Sequence, residues 1–364
     1  MARLKDICII NPKSPGFQDE LAVSFVPMPK VGEHGEFDPS EVKPYRDVKK
    51  EFTYFENGDV LFAKITPCME NGKGAIAQSL KNGVGFGSTE FHVLRPMPKY
   101  VTSKWLFYLS TQQTFRKEAE KSMTGSAGQK RVPKSFLEEY IVDLPDLSTQ
   151  GAMTDALDKI TVLISLRKQQ LAKLDELVKA RFLEMFGDPI ENDKHLPLKR
   201  LGDICLLKAG STTPADIIHE FSELFQIPCY GGNGIRGYVK ESTQHGTYPI
   251  IGRQGALCGN VQLAKGNFHA TEHAVLVTPF EEINVYWLYY LLKYLDLYRY
   301  HTGAAQPGLA VKTLNTIEVP ISGLALQKNF AEWIEKVDRQ KLTIQQSLDK
   351  LEVLKKSLMQ EYFG

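Results

Sequence analysis

Disulfide chemistry has almost nothing to work with in this chain: five cysteines in 364 residues (Cys8, Cys68, Cys205, Cys229 and Cys258), an odd number with no Cys-x-x-Cys pair. That excludes a disulfide framework and a structural zinc site, and leaves small core or surface thiols. Long apolar runs are missing too. The longest, Val285 to Leu292, stops at Lys293, far short of the roughly 20 residues that cross a bilayer. Met1 to Asp6 lacks the apolar core of a secretory signal, so a cytoplasmic protein is expected. Charge of one sign is also absent. The net charge is +1, with twenty cations against eighteen acids through Asp143 and eleven against twelve from Ile190 to Pro320. A polyanionic partner must therefore be met locally. Two windows offer that: Lys121, Lys130, Arg131 and Lys134 with no acid among them, and Arg236, Lys240, Arg253 and Lys265 against Glu241 alone. The plain alternative is chance charge on solvated loops.

Catalytic boxes are lacking as well. There is no Walker A loop and no Asn-Pro-Pro-Tyr adenine-methyltransferase box, and Pro145-Asp146 has no Glu-x-Lys after it to complete a nuclease signature. His269 to His273 has the His-x-x-Glu-His spacing of a zinc protease, which needs both histidines on one helix face. Phe268 to Val277 reads instead as a strand, where positions four apart lie roughly 13 Å from each other and cannot share a metal. Gly83 to Gly87 is glycine-rich but is not framed by strand and helix as a dinucleotide loop requires; a bulge or close-packed loop is expected. Nothing here supports catalysis by this chain alone.

What is present is a duplication. Gln150–Gly187 and Gln327–Gly364 align without a gap at an offset of 177, so Leu157, Ile160, Leu171, Leu174 and Leu177 answer Ile334, Val337, Leu348, Leu351 and Leu354. So long a period is not a solenoid but two similar halves. Arg3 to Cys8 echoes Arg200 to Cys205, Ser88-Thr89-Glu90 echoes Ala270-Thr271-Glu272, and Trp105 to Tyr108 echoes Trp287 to Tyr290, at offsets drifting from 197 to 178. The helices are constant while the segments between them have gained and lost loops.

As heptads, one copy places Leu157, Ile164, Leu171, Val178 and Met185 at a, with Ile160, Arg167, Leu174 and Arg181 at d. The other places Ile334, Lys341, Leu348, Lys355 and Tyr362 at a, with Val337, Ile344, Leu351 and Leu358 at d. Alone, such a helix leaves its stripe wet, so the two should pack on each other, and pseudo-symmetry favours the antiparallel arrangement. The cations in these columns either fix register or reach out at the edge. Pro145 and Pro320 introduce the helices, with Ser148 or Ser322 as candidate caps, and Gly187 ends the first. Between them, short runs such as Asp59 to Ala63, Ala75 to Ala77, Phe91 to Leu94 and Ala274 to Val277 predict a twisted sheet, followed by one amphipathic helix in each half, Lys104 to Ser122 and Val285 to Tyr300. Each half is then an α/β domain of ordinary size.

A paired loop follows those helices, Thr124 to Val132 and Thr302 to Lys312. Its small residues let the backbone approach a partner, glutamine can read an adenine edge, and Lys or Arg can hold phosphate or guanine. A structural turn from helix to strand is the alternative.

Two variable globular domains, each followed by a heptad helix introduced by Pro and Gln, resemble the specificity subunit of type I restriction-modification systems over the whole chain. Gly58-Asp59-Val60-Leu61-Phe62-Ala63-Lys64 is similar to that family's Gly-Asp-hydrophobic signature, and Gly303 to Leu309 resembles its small-residue, Gln-containing loop. The Gly-Asp is missing from Gly246 to Arg253 in the second half. The resemblance implies an α/β (α+β) fold of two pseudo-symmetric target-recognition domains, residues 1–145 and 191–320. A central helix, 146–190, and a C-terminal helix, 321–364, would form a long antiparallel coiled coil. Its seam would be Leu157, Ile160, Ile164, Leu171, Leu174, Val178, Ile334, Val337, Ile344, Leu348, Leu351 and Leu358. It further implies a non-catalytic reader of double-stranded DNA, with no metal or cofactor of its own. Each domain would read half of a bipartite target, with Lys64, Lys130, Arg131 and Lys134 serving one half and Arg236, Arg253, Gln254, Gln306 and Lys312 the other. Two methyltransferase subunits using S-adenosylmethionine, and restriction subunits using ATP and Mg, would act as partners. The helix from Gln150 to Phe186, roughly 55 Å long, would set the gap between half-sites. Two rivals are a self-contained methyltransferase or nuclease with a divergent site, and a protein-only adaptor.

Overall fold

The computed structural model describes every residue except 127, 256 and 304–306. It divides into two compact units, Met1–Arg167 with Ser347–Gly364, and Lys168–Gln346. Among the described residues no helix is long and apolar enough to cross a membrane.

In the first unit, Cys8–Ile10, Phe91–Pro96, Val60–Ala63 and Gly74–Ile76 form an antiparallel sheet in that order. The run Val-Leu-Phe-Ala is apolar throughout because this strand is covered on both faces. Val60 and Phe62 point to a core with Trp105, Leu106 and Phe115. Leu61 and Ala63 point the other way, to a core with Phe55, Phe91 and Val93. Period-2 geometry sorts the four side chains without any polar position. A second sheet, Val42–Pro44, Ala22–Val26, Val84–Gly87 and Thr53–Glu56, lies beyond that core. The glycine-rich stretch is thus a strand rather than a loop. A Cβ on Gly85 would meet the Phe55 ring at 2.2 Å, and one on Gly87 would meet the Val26 carbonyl oxygen at 2.2 Å, so glycine admits the close approach.

The second unit has one six-stranded sheet in the order Cys205–Ala209, Ala274–Pro279, Gln244–Gly252, Val261–Ala270, Ile227–Gly231 and Gly234–Val239. Phe268 to Val277, expected as a single strand, is two strands around a turn at residues 271–273. The absence of a Gly-Asp here has a structural reason. In the first unit Gly58, at φ +91°, turns the chain between Thr53–Glu56 and Val60–Ala63. Asp59 closes that turn by accepting from the Glu56 amide at 2.8 Å. Gln244–Gly252 runs straight through, and no turn is needed.

The expected helix over Lys104 to Ser122 is two, Ser103–Thr111 and Gln113–Ser122, because Gln112 leaves the helical region and caps the second through its side chain. Its counterpart is Val285–Tyr294 followed by the 3-10 turn Leu297–Tyr300. The repeated Leu-x-Asp-Ile-Cys also finds its cause. Leu4–Ile7 and Leu201–Ile204 are one-turn helices. Cys8 and Cys205 donate their thiols to the Leu4 and Leu201 carbonyls at 3.1 and 3.2 Å. Burial pushes both thiols up to about 12.

The long helices are Leu147–Phe186 and Leu324–Phe363. The first unit holds the start of one and the end of the other, and the second unit holds the converse, so they run antiparallel. Every expected seam residue is buried or half-buried, including Arg167, Arg181, Lys341 and Lys355. Leu177 and Leu354, also aligned by the repeat, are 50% and 47% exposed and lie off the stripe. Lys341 pairs with Asp175 on the other helix at 2.5 Å, which ties a seam cation to a definite register. Neither serine caps a helix. Asp146 accepts from the Thr149 amide at 2.9 Å, and the Ser322 hydroxyl is buried without a partner.

Each long helix is fastened to its domain by the glutamine that opens the repeat. Gln150, fully buried, accepts from the Thr102 amide at 3.0 Å and donates to the Tyr100 and Pro145 carbonyls at 2.8 and 2.9 Å. Gln327, equally buried, accepts from the Asn284 amide at 2.9 Å and donates to the Ser322 carbonyl at 2.8 Å. Thr102 and Asn284 are themselves the N-caps of the helices that carry Trp105 and Trp287. Phe363 then packs on Trp105 with ring centroids 5.5 Å apart, and Phe186 on Trp287 at 6.1 Å.

Candidate nucleic-acid interface

Three segments converge at the same place in each unit. In the first, the chain leaving strand Val60–Ala63 passes the turn 88–90 and the loop 124–132. Lys64 donates its amide to the Glu90 carbonyl at 2.9 Å, Val132 donates to the Lys64 carbonyl at 2.9 Å, and Thr66 to the Lys130 carbonyl at 3.0 Å. The loop is closed by Thr124 and Arg131, which exchange backbone hydrogen bonds at 3.0 and 2.9 Å. In the second unit the chain leaving Gln244–Gly252 does the same. Arg253 donates to the His273 carbonyl at 3.0 Å, Leu309 to the Arg253 carbonyl at 2.8 Å, and Thr302 and Gly308 exchange bonds at 2.8 and 2.9 Å. The paired loop is therefore one structural device used twice, with Gly308 where the first unit has Arg131.

The side chains differ. Arg131 places Nε and Nη2 on Glu90 at 2.9 and 2.8 Å, a bidentate fork, and gives Nη1 to the Gln129 carbonyl at 3.1 Å. That arginine holds Glu90 below the usual carboxylate range. Partial burial lowers Lys64, with the Arg131 charge adding to the effect and Glu90 opposing it. Lys130 is exposed, and Lys134, at the start of Lys134–Glu139, pairs with Glu138 at 2.8 Å. Of the four expected residues the structure brings Lys64, Lys130 and Arg131 together, while Lys134 stands one short helix further on. Beside them opens a cleft of about 520 Å³ whose lining mixes Lys117, Lys121 and Lys130 with Glu70 and Glu120, alongside Thr66, Met123 and Gly128.

In the second unit Glu272 accepts from the Thr213 amide at 3.0 Å and lies 3.3 Å from His273 Nε2. Its carboxyl is lowered chiefly by its own backbone amide, then by Thr213, His273 and Arg236. Arg236 and Gln254 are exposed, Arg253 is half-buried, and Lys312 is exposed on Val311–Thr316. Gln306 lies outside the described residues. A cleft of about 500 Å³ is walled by Gly231, Gly232, Gly234 and Gly255, with Arg236 and Gln254 at its rim. His269 hydrogen-bonds the Thr213 hydroxyl at 2.8 Å. The two histidines of the protease-like spacing serve the turn separately, and no group of three or more His, Cys, Asp or Glu among the described residues is placed to hold a metal. Glu90, Glu272 and Thr213 were not among the expected site residues, although the repeated Thr-Glu at 89–90 and 271–272 pointed to them.

Local cations, exposed amides and open clefts on a duplicated scaffold with different side chains define a tandem recognition protein. The comparisons agree. A model of the type I restriction modification DNA specificity domain matches residues 1–176 and 196–354. The type I restriction enzyme EcoprrI specificity subunit of Escherichia coli is 30% identical over 371 residues, covering 88% of each chain. The EcoAI specificity subunit of the same organism is 44% identical over 176 residues, which is 47% of this chain and only 30% of that relative's length. Among solved structures, the S subunit of the type I restriction-modification system from M. genitalium superposes with a TM-score of 0.66 at 18% identity, over 100% of this chain and 95% of that one, a likeness of fold. The chain belongs to the type I restriction-modification DNA specificity family and carries its domain twice. It is a specificity subunit, the recognising rather than the catalytic component of such a system.

Proposed function

We propose that the two domains, residues 1–145 and 191–320, each read one half of a bipartite duplex target, and that the helices at 146–190 and 321–364 join them. The observation that carries this reading is the duplicated three-segment face, identical in backbone pairing and different in side chains. Identical pairing gives each unit the same way of meeting a duplex, and different side chains give each its own bases. In the first unit Lys64 and Lys130 supply cations for the backbone and Arg131 an edge for a base. In the second, Arg236, Arg253, Gln254 and Lys312 do so. Two methyltransferase subunits would supply S-adenosylmethionine chemistry to an extruded adenine, and restriction subunits would supply ATP- and Mg-dependent cleavage. The test is to assemble the chain with its methyltransferase subunits and map the methylated motif. Arg131→Ala should relax the motif within one half-site only, whereas Lys64→Ala with Lys130→Ala should weaken binding to all sequences alike. Methyl transfer by the purified chain alone, or a motif indifferent to substitutions on both faces, would overturn the proposal.

A further inference from the structure

We infer that Glu90 is a positioning residue, a carboxylate that holds in place the arginine the first unit presents to a base, Arg131. The inference rests on the DNA-reading proposal and adds which side chains set its specificity. Glu90 sits on the turn that leads into Phe91–Pro96, and His273 stands at the same point before Ala274–Pro279: Lys64 donates to the Glu90 carbonyl as Arg253 does to that of His273, and the Phe91 amide reaches Ser88 as that of Ala274 reaches Thr271. Each of these strands lies between the first strand of its sheet and the strand that delivers Lys64 or Arg253. The cations come from unrelated places. Arg131 stands on the loop opposite Thr124, whereas the matching position opposite Thr302 is Gly308 and offers no side chain. The second unit takes its cation instead from Gly234–Val239, a strand at the edge of the larger sheet. There the Arg236 stem lies along Gly231, whose added Cβ would come 3.7 Å from the Arg236 Cβ and Cδ and 3.9 Å from the Thr271 hydroxyl. The carboxylate on the turn and the arginine on the loop occur together in the first unit and are replaced together in the second, by His273 and Gly308, as expected of two side chains that act as a pair.

The fork at Arg131 fixes the guanidinium plane, because a carboxylate taking Nε and Nη2 leaves the group no freedom to rotate about Cδ–Nε. A base edge then meets a donor already aimed, so less side-chain freedom is lost on binding. Lys64, beside the pair, leaves the trio one positive charge in excess, and the attraction to DNA survives the presence of an acid. Glu272, one position before the equivalent of Glu90, is taken up instead by the Thr213 amide at 3.0 Å and lies 3.3 Å from His273 Nε2.

The experiment uses the assembled methyltransferase complex and a panel of duplexes altered one base pair at a time. Glu90→Gln should relax discrimination about tenfold or more at a position within one half-site, leaving the other half-site and the salt dependence of binding unchanged. Because the carboxylate acts through its arginine, Glu90→Gln combined with Arg131→Ala should match Arg131→Ala alone. Effects that add, equal weakening for all sequences, or wild-type discrimination in Glu90→Gln would each overturn the inference. Arg131→Lys keeps the charge and Glu90 but loses the fork, so it serves if Glu90→Gln does not fold; unchanged discrimination there refutes the positioning role equally. A wild-type complex with no sequence preference traceable to this chain would instead refute the reading on which the inference rests.

Discussion

Replacing Gln150 by leucine tests whether the helices are fastened to the domains as described. Leucine fills a similar volume at a fully buried site but deletes three hydrogen bonds. The Thr102 amide is the costly orphan, since it has one proton to give and sits at the N-cap of Ser103–Thr111. The Tyr100 and Pro145 carbonyls each retain a second lone pair. One unsatisfied buried donor costs about 1–3 kcal/mol and the weakened carbonyls add to it, so a loss of about 2–3 kcal/mol is expected. For a unit of this size that lowers Tm by about 4–12 °C. Gln150→Glu is the sharper variant. It keeps the acceptor for Thr102 but turns a donor into a carboxylate facing two carbonyl oxygens, and should cost more than leucine at neutral pH. Gln327→Leu should cost about as much as Gln150→Leu, and because the two glutamines share no partner the double variant should be additive within about 0.5 kcal/mol. Thermal melts of the chain read all four. A leucine variant within about 0.5 kcal/mol of wild type, or a glutamate variant more stable than the leucine one, would refute the reasoning.

Asp59, buried and forked by Arg95 at 2.9 and 2.8 Å, should cost about 2–3 kcal/mol when changed to alanine, because the fork and the acceptor of the Glu56 amide are lost while Arg95 keeps Glu56 at 3.2 Å; a denaturant titration checks this. His92 donates Nε2–H to the Val132 carbonyl and accepts from Asn11, and burial holds it neutral with its pKa lowered to about 4. Its folded value lies below the unfolded one of about 6.5, so the stability it contributes is complete above pH 6.5 and is lost as pH falls toward 4. The melting temperature of His92→Gln should vary less over that window than that of wild type. Lys341→Leu extends the apolar seam at the loss of an ion pair whose Asp175 side is exposed, and should raise stability by about 1 kcal/mol in the same melts. Inserting four residues near Gln170 and near Ser347 adds about 6 Å to each helix and should lengthen the unspecified spacer of the methylated motif without altering either half; an unchanged spacer in an active complex refutes the ruler.

Local signals were strongest where one physical requirement acted on contiguous residues. The heptads were legible because a helix seam repeats its demand every three or four positions, and even the cations at 167, 181, 341 and 355 fell where the spacing put them. The sheet strands at 60–63, 91–94 and 274–277 were legible as apolar runs bounded by turn residues. The break at Gln112 was not, since its side chain replaces a backbone acceptor and leaves the amphipathic pattern undisturbed. The turn at 271–273 was missed because His, Thr and Glu carry no turn signature, and its geometry comes from Thr213, some 60 residues away. The site itself was half legible. Basic loop residues stood out by charge, but Arg131 is held by a glutamate 41 positions earlier, and no local pattern announces that.

The first unit is not contiguous in sequence: Met1–Arg167 is completed by Ser347–Gly364, which brings Phe363 onto Trp105. On a ribosome adding about 5–20 residues each second, the 179 residues of Lys168–Gln346 impose a wait of roughly 10–35 seconds. Throughout it, the oldest domain on the chain stands with an apolar surface uncovered. The second unit has every piece in hand once Gln346 emerges, so the younger domain is the first that can finish. Damage follows the same inverted order: a stop codon after Gln346 and ahead of Phe363 leaves the second unit whole and strips the first of the ring that packs on Trp105.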